Sequence, residues 1–267
     1  ASMRTPDFTL ASQYIQHIGD QIAAKGVAVP LWLQQSGLPG NWLEEPTPGI
    51  SLPVLERLVG EAISMTREPA IGLLVGERLL VNTHGMLGYA AMSSVTIRQM
   101  QELFEHFIRL RIALITARHE VHADEVRLRF TEVLPLGDIR RPVLECVLLA
   151  VKNVLDFITM GTCRISYIAF PFERPDYAVL AEGLFKCEVR YGQSWAGFSM
   201  PPEQLDTPLK MADPAAFQEA ALICRRELDK LSANESLSVR VQRVLLEKQN
   251  GFPSLAVTAR LFHMTPR

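Results

Sequence analysis

Between Leu52 and Ile63 the apolar residues Leu52, Leu55, Leu58, Val59, Ala62 and Ile63 fall mostly three and four apart, the spacing that lines one face of an α-helix. Ile97, Met100, Leu103, Phe104, Phe107 and Ile108 repeat the pattern, with Gln101, Glu102 and Glu105 on the opposite side. The first of these helices has a marked beginning. Pro39, Pro46 and Pro48 crowd its approach, and Ser51-Leu52-Pro53 sets a capping hydroxyl just ahead of a proline.

The period then changes. Val126, Leu128 and Phe130 alternate with Arg127 and Arg129, which predicts a half-buried strand. Ala123-Asp124-Glu125 predicts a hairpin turn back to a strand near 114–121. An amphipathic helix follows through Val143, Val147, Leu148, Val151, Leu155 and Ile158, with Gly161 placed to cap it. A strand over 163–170, a short helix over 175–185 and two strands over 187–191 and 195–200 complete the middle of the chain. The order β-β-α-β-α-β-β predicts an α+β fold, with N-terminal helices packed on an antiparallel or mixed sheet.

Helical spacing returns at Asp213-Pro214, a cap followed by proline at the first helical position, and runs through Phe217, Ala220, Ala221, Cys224, Leu228 and Leu231. Ala233-Asn234-Glu235 predicts a hinge. Ser236 caps a further helix with Leu237, Val241, Val244 and Leu245 on one face, ended by Gly251-Phe252-Pro253. Three regions result: an α+β domain over 1–210, a linker or dimerisation helix over 211–235, and a C-terminal helical region over 236–267.

Charge sharpens this division. The chain of 267 residues has a formal net charge of -2, so the whole carries no nucleic-acid signature. Residues 1–234 hold 22 Lys and Arg against 27 Asp and Glu, whereas residues 235–267 hold five (Arg240, Arg243, Lys248, Arg260, Arg267) against two. An acidic body with a basic tip suits a tip that approaches phosphates. The four cysteines, without a CxxC pair, predict buried free thiols of a reducing cytoplasm. The longest aliphatic run, Val147–Val151, is too short for a membrane span, and no export signal is visible.

The segment Pro253-Ser254-Leu255-Ala256-Val257-Thr258-Ala259-Arg260-Leu261-Phe262-His263-Met264-Thr265-Pro266-Arg267 has the layout of a helix-turn-helix. Ser254 caps a short helix, small Ala259 lets a second helix cross, and Thr265-Pro266 reopens one. Together with the helix at 236–249 it resembles the start of the AraC/XylS DNA-binding domain. His263 departs from the glycine often found at that turn, and His tolerates the left-handed backbone required. The upstream stretches His84-Gly85-Met86-Leu87-Gly88-Tyr89-Ala90-Ala91-Met92-Ser93-Ser94, Phe170-Pro171, Tyr177, Phe185-Lys186-Cys187-Glu188-Val189-Arg190-Tyr191-Gly192 and Leu205-Asp206-Thr207-Pro208-Leu209 are similar to the AraC subgroup whose sensory domain is not a cupin. That subgroup includes ornithine-utilisation-type regulators.

The resemblance implies an effector-responsive bacterial transcription regulator. Its N-terminal domain binds a small molecule and dimerises, and its C-terminal helix-turn-helix binds promoter DNA through residues such as Arg260, Thr265 and Arg267. It implies no catalysis and no cofactor, and it makes RNA polymerase a possible partner. The motif halts at the opening residues of its recognition helix, so specific DNA binding is expected of the full regulator rather than of this chain. The alternatives at this point are a small-molecule-binding protein or enzyme without DNA binding, and a protein-interaction module.

Met86, Tyr89, Met92, Phe104, Phe107, Tyr167, Phe170, Tyr191 and Trp195 are the residues for an apolar effector pocket. It is expected between the sheet (near Leu128, Tyr167 and Val189) and the helices carrying Met86–Met92 and Phe104–Phe107, with a volume above roughly 300 Å³. Arg109, Arg111 and Arg118 could meet an acidic effector or form a solvated face. In His119-Glu120-Val121-His122 the two histidines, three apart on a strand, point to opposite faces and are not read as a metal pair. Ser93-Ser94 lacks the glycines of a nucleophile elbow, and Gly85–Gly88 lacks a preceding strand for a phosphate loop.

Overall fold

In the computed structural model, which describes residues 8–47 and 49–234, the elements follow in the order β1 (Phe8–Thr9), α1 (Ser12–Ala24), α2 (Val29–Gln35), β2 (Gly49–Ile50), α3 (Leu52–Thr66), α4 (Ile71–Arg78), α5 (Gly85–Met92) and α6 (Ile97–Phe107). Then come β3 (Ile115–Val121), β4 (Val126–Glu132), α7 (Arg140–Ile158), β5 (Tyr167–Ala169), α8 (Ala178–Phe185), β6 (Val189–Arg190), β7 (Ala196–Met200) and α9 (Pro214–Asn234). The fold class is α+β. The helix starts behave as their sequences require. Ser51 Oγ accepts from the Val54 amide at 3.4 Å, Thr96 Oγ1 from Gln99 at 3.2 Å, and Asp213 Oδ1 from Ala216 at 3.0 Å, each satisfying an amide that the helix itself leaves open.

The main sheet runs β3-β4-β7-β5-β6, antiparallel except for the β5–β6 pair, and β1 with β2 forms a separate two-stranded ribbon. Register sorts the side chains. Leu128 stands opposite Phe198, Phe198 opposite Ile168 and Ile168 opposite Val189, and all four are buried. One residue along, Arg127, Ser199 and Tyr167 form the matching row on the other face. The inner face packs on α6, and Phe130 meets Phe198 edge-on with centroids 5.7 Å apart. Phe130, Phe198 and Met100 are buried, and the apolar cavity lies within the helical layer rather than between the sheet and α6.

Two elements are shorter than their patterns suggest. Strand β5 begins at Tyr167 rather than Cys163, and the Arg164 amide turns instead to the Gln204 side chain at 3.2 Å. Helix α8 begins at Ala178 rather than at 175. Gly161 does follow the end of α7, at φ 77°, its amide reaching the Asp156 carbonyl at 2.8 Å. Helix α9 continues through Asn234, and the rest of the expected hinge lies outside the described residues, as do the cap at Ser236 and the whole helix-turn-helix with Arg260, Thr265 and Arg267.

Helices α4 and α7 pack most closely, and glycine makes this possible. A Cβ on Gly72 would lie 2.2 Å from the Pro142 carbonyl oxygen, and one on Gly76 would lie 2.9 Å from that of Cys146. These positions, one helical turn apart, form the groove into which the α7 backbone sinks. Gly60, on the exposed side of α3, has nothing within 4 Å of its Cβ position. Gly72→Ala is expected to lower stability by about 1–3 kcal/mol through forced separation of the two helices. Gly60→Ala should raise it by roughly 0.5–1 kcal/mol through helix propensity. Urea unfolding midpoints of the two variants check both signs; equal shifts would remove the α4–α7 contact as a constraint.

Candidate effector site

A cavity of about 120 Å³ lies within the helical layer, walled by α1, α3, α4 and α7 and closed at one end by α5 and the end of α6. Its walls are almost wholly apolar and mix larger side chains such as Ile18, Leu55 and Phe104 with short ones: Val59 and Ala62 from α3, Val75 from α4, and Val147, Ala150 and Val151 from α7. The short side chains do not reach the middle of the space between four helices, and the void is what remains. Cys146 also lines it, its thiol pushed up to about 12 by burial and so an inert apolar group at neutral pH.

One end is polar. Tyr14 from α1, His84 and Arg111 meet there. Tyr14 Oη lies 2.7 Å from His84 Nδ1 and accepts from Arg111 Nε at 3.1 Å. Arg111 Nη2 donates to Gln13 Oε1 at 2.8 Å and to the Thr83 carbonyl at 3.0 Å, and the guanidinium lies 5.2 Å from the Tyr14 ring centroid. Among the described residues no carboxylate pairs with Arg111, and the buried His84 Nε2 has no hydrogen-bond partner. Burial, with the nearby Arg111 charge, pushes the His84 imidazole down to about 4, so it is neutral at physiological pH. Burial likewise holds the Tyr14 phenol above its usual value despite Arg111.

His84 reaches this position through a tight local turn. Residues 81–84 form a 3-10 turn, His84 stands at the N-cap of α5, and Gly85 follows at φ 58°, where a Cβ would sit 3.2 Å from Arg111 Nη1. A Cβ on Gly88 would lie 2.0 Å from the Val81 carbonyl oxygen, so the turn folds flat against α5. Helix α5 in turn packs on α9, which buries Phe217, Ala220 and Cys224. Asp213 N donates to the Ser93 carbonyl at 3.1 Å, and Arg109 Nη2 donates to Ser232 at 3.1 Å, fastening both ends of α9.

Of the residues singled out from the sequence for a pocket, the structure brings Phe104 to this cavity. Phe107 is buried in the core, and Met86 and Met92 are partly buried against it. Tyr89 is 45% exposed. Phe170 is fully buried in an aromatic stack with Phe172 (4.8 Å) and Tyr191 (5.9 Å). Tyr167 and Trp195 sit on the sheet's other face, the Tyr167 hydroxyl donating to Glu125 at 2.9 Å, with Arg190 3.7 Å over the Tyr167 ring and Arg127 4.6 Å over Trp195. Of the three arginines, Arg111 is at the cavity. Tyr14 carries no pocket signal in the sequence, and Val59, Ala62, Val147 and Val151 are legible there only as the apolar faces of helices. Ile15, Ile18 and Ile22, at helical spacing, and Gly72 with Gly76, one turn apart, are the signals that point to α1 and α4.

The other motifs take structural places. His119 contacts Glu105 of α6, whereas His122 pairs with Glu120 at 3.3 Å. Among the described residues no group of three or more His, Cys, Asp or Glu is placed to hold a metal. Ser93 and Ser94 bond back to the Tyr89 and Ala90 carbonyls at 3.0 and 3.2 Å. No helix among the described residues is long and apolar enough to cross a membrane.

Residues 26–209 match the family described as the arabinose-binding domain of AraC transcription regulators, N-terminal. The chain belongs to that family, one of transcription regulators and not of enzymes. It is similar to the ornithine utilization regulator of Pseudomonas aeruginosa, 28% identical over 257 residues, covering 95% of this chain and 75% of that protein. It is also similar to the HTH-type transcriptional regulator VqsM of the same organism, 24% identical over 203 residues, 73% of this chain and 62% of that one. The crystal structure of the transcriptional regulator CdpR from Pseudomonas aeruginosa shares the fold, with a TM-score of 0.54 at 20% identity over 80% of this chain and 70% of that one.

The buried, neutral His84 makes a pH test direct. Its ordinary value is 6.5 and its folded value about 4, so between them the unfolded chain binds a proton that the folded one excludes. Stability is complete above about pH 6.5 and falls as pH drops toward 4, by up to about 3 kcal/mol. Glu145, raised to about 7 by burial and receiving the Tyr177 hydroxyl at 2.5 Å, acts in the opposite sense, its contribution being lost as pH rises through 7. Comparison with His84→Gln cancels that effect. The variant is expected to lose less stability than the parent between pH 7 and pH 5 in urea titrations; equal losses would contradict a buried neutral imidazole.

Proposed function

We propose that this chain is the sensory part of an effector-responsive bacterial transcription regulator working in the cytoplasm, with the helical cavity as its effector site. The observation that carries this reading is the position of His84: it lines the cavity and begins α5, and α5 packs on α9, the last described helix before the segment that resembles a helix-turn-helix. A ligand touching His84 would bear on α5 and through it on α9. The full regulator binds promoter DNA with the helix-turn-helix that begins at 236–267, Arg260, Thr265 and Arg267 among its contacts, and RNA polymerase is a partner of that assembly. Family membership supports both halves of this reading. Two copies pair through α9, whose Leu222 (48% exposed) and Ile223 (37%) offer apolar surface beside the face spent on α5.

The test is a thermal-shift panel of small molecules on the parent and on Ala150→Phe, which fills the cavity from α7. A true effector raises the parent's melting temperature, leaves Ala150→Phe unmoved, and changes the full regulator's promoter affinity by roughly fivefold or more in gel shifts. Effectors that stabilise both proteins equally would place the site elsewhere.

A further inference from the structure

Resting on the cavity as effector site, we propose that its ligand is a small monocarboxylate with an apolar tail and no ammonium group, the carboxylate seated between His84 Nε2–H and the Arg111 guanidinium. A guanidinium only donates, so in the 3.1 Å contact the Tyr14 oxygen accepts from Arg111. The Tyr14 hydroxyl hydrogen is then free for its other neighbour, His84 Nδ1, 2.7 Å away. A nitrogen that accepts carries no proton, so the neutral imidazole holds its hydrogen on Nε2. The reverse assignment, with Nδ1–H donating to Tyr14, gives the hydroxyl hydrogen no acceptor and still leaves Nε2 empty, so it is the poorer of the two.

The network therefore ends on a buried N–H donor without an acceptor. Leaving such a donor unmet costs free energy comparable to a lost hydrogen bond, and unmet buried donors are rare in folded proteins. Arg111, joined to His84 through the shared Tyr14 oxygen, is a cation with no carboxylate partner among the described residues. A donor and a positive charge together select an anionic oxygen acceptor. None of the lining residues is Asp or Glu, so an ammonium group would find no anionic partner in the walls and would face Arg111. The remainder is aliphatic and about 120 Å³ in volume, slightly below the ~150 Å³ of a dry cavity that holds benzene. A tail of roughly four to six carbons fits that space. A diamino acid such as ornithine, with two ammonium groups, does not fit this chemistry.

Calorimetric titration of the parent chain at pH 7 with hexanoate, hexanamide and L-ornithine reads the head group on one tail length. Hexanoate is expected to bind roughly tenfold more tightly than hexanamide, the difference between a charge-assisted and a neutral hydrogen bond, and L-ornithine is expected not to compete. His84→Leu should weaken hexanoate by more than hexanamide, so that the acid-to-amide ratio falls well below tenfold. Equal binding of acid and amide, or preferential binding of L-ornithine, would overturn the assignment. Benzene binding that Ala150→Phe abolishes, with no response to hexanoate, would overturn the head-group assignment and keep the cavity as a ligand site. Failure of every probe to bind in an Ala150→Phe-sensitive manner would overturn both.

Discussion

Arg111 donates at once to Tyr14 and Gln13 of α1 and to the carbonyl of Thr83 in the turn that leads into α5. Three segments distant in sequence are thus tied at one guanidinium, whose planar fork can serve several acceptors without rearranging. The cavity's polar end, the orientation of His84 and the entry of α5 all follow from that tie. The Tyr14–His84 bond at 2.7 Å adds a second, direct tie between α1 and the turn at 81–84.

The aliphatic end depends on the opposite effect. Gly72 and Gly76 bring α4 and α7 into backbone contact, while α1 faces the space with Tyr14 and Ile18, and α3 with Leu55, Val59 and Ala62, which together leave it partly unfilled. Close packing on one side and incomplete filling on the other give a wall rigid enough to hold a void. The route outward is equally concrete: His84 to α5, and α5 to α9, whose ends are fastened to Ser93 and Arg109. Helix α5 thus borders both the cavity and α9, which is the path the proposed coupling would take.

Much of the fold is legible in the sequence where local chemistry decides. Ser51, Asp213-Pro214 and the alternation at Val126–Phe130 mark elements that form as read, because a cap or a period specifies them without reference to partners. Helix α4 is different. Ile-Gly-Leu-Leu-Val-Gly-Glu-Arg has weak helix propensity and little amphipathic contrast, and it is held by α7 rather than by its own sequence. The site is the least legible part. Aromatic and methionine side chains draw the eye to a pocket, yet those residues mostly fill space, as Phe170 and Phe107 do here. This void arises where the helix faces leave space unfilled, and its polar end joins positions 14, 84 and 111, which only the tertiary fold brings together.

In the proposed mechanism α5 carries the state of the cavity to α9. Amide hydrogen exchange of the chain with and without saturating hexanoate addresses it segment by segment. The account predicts slowed exchange in the cavity walls, in 81–92 and in 214–234 together. Slowing confined to the walls, with α5 and α9 unchanged, would contradict it.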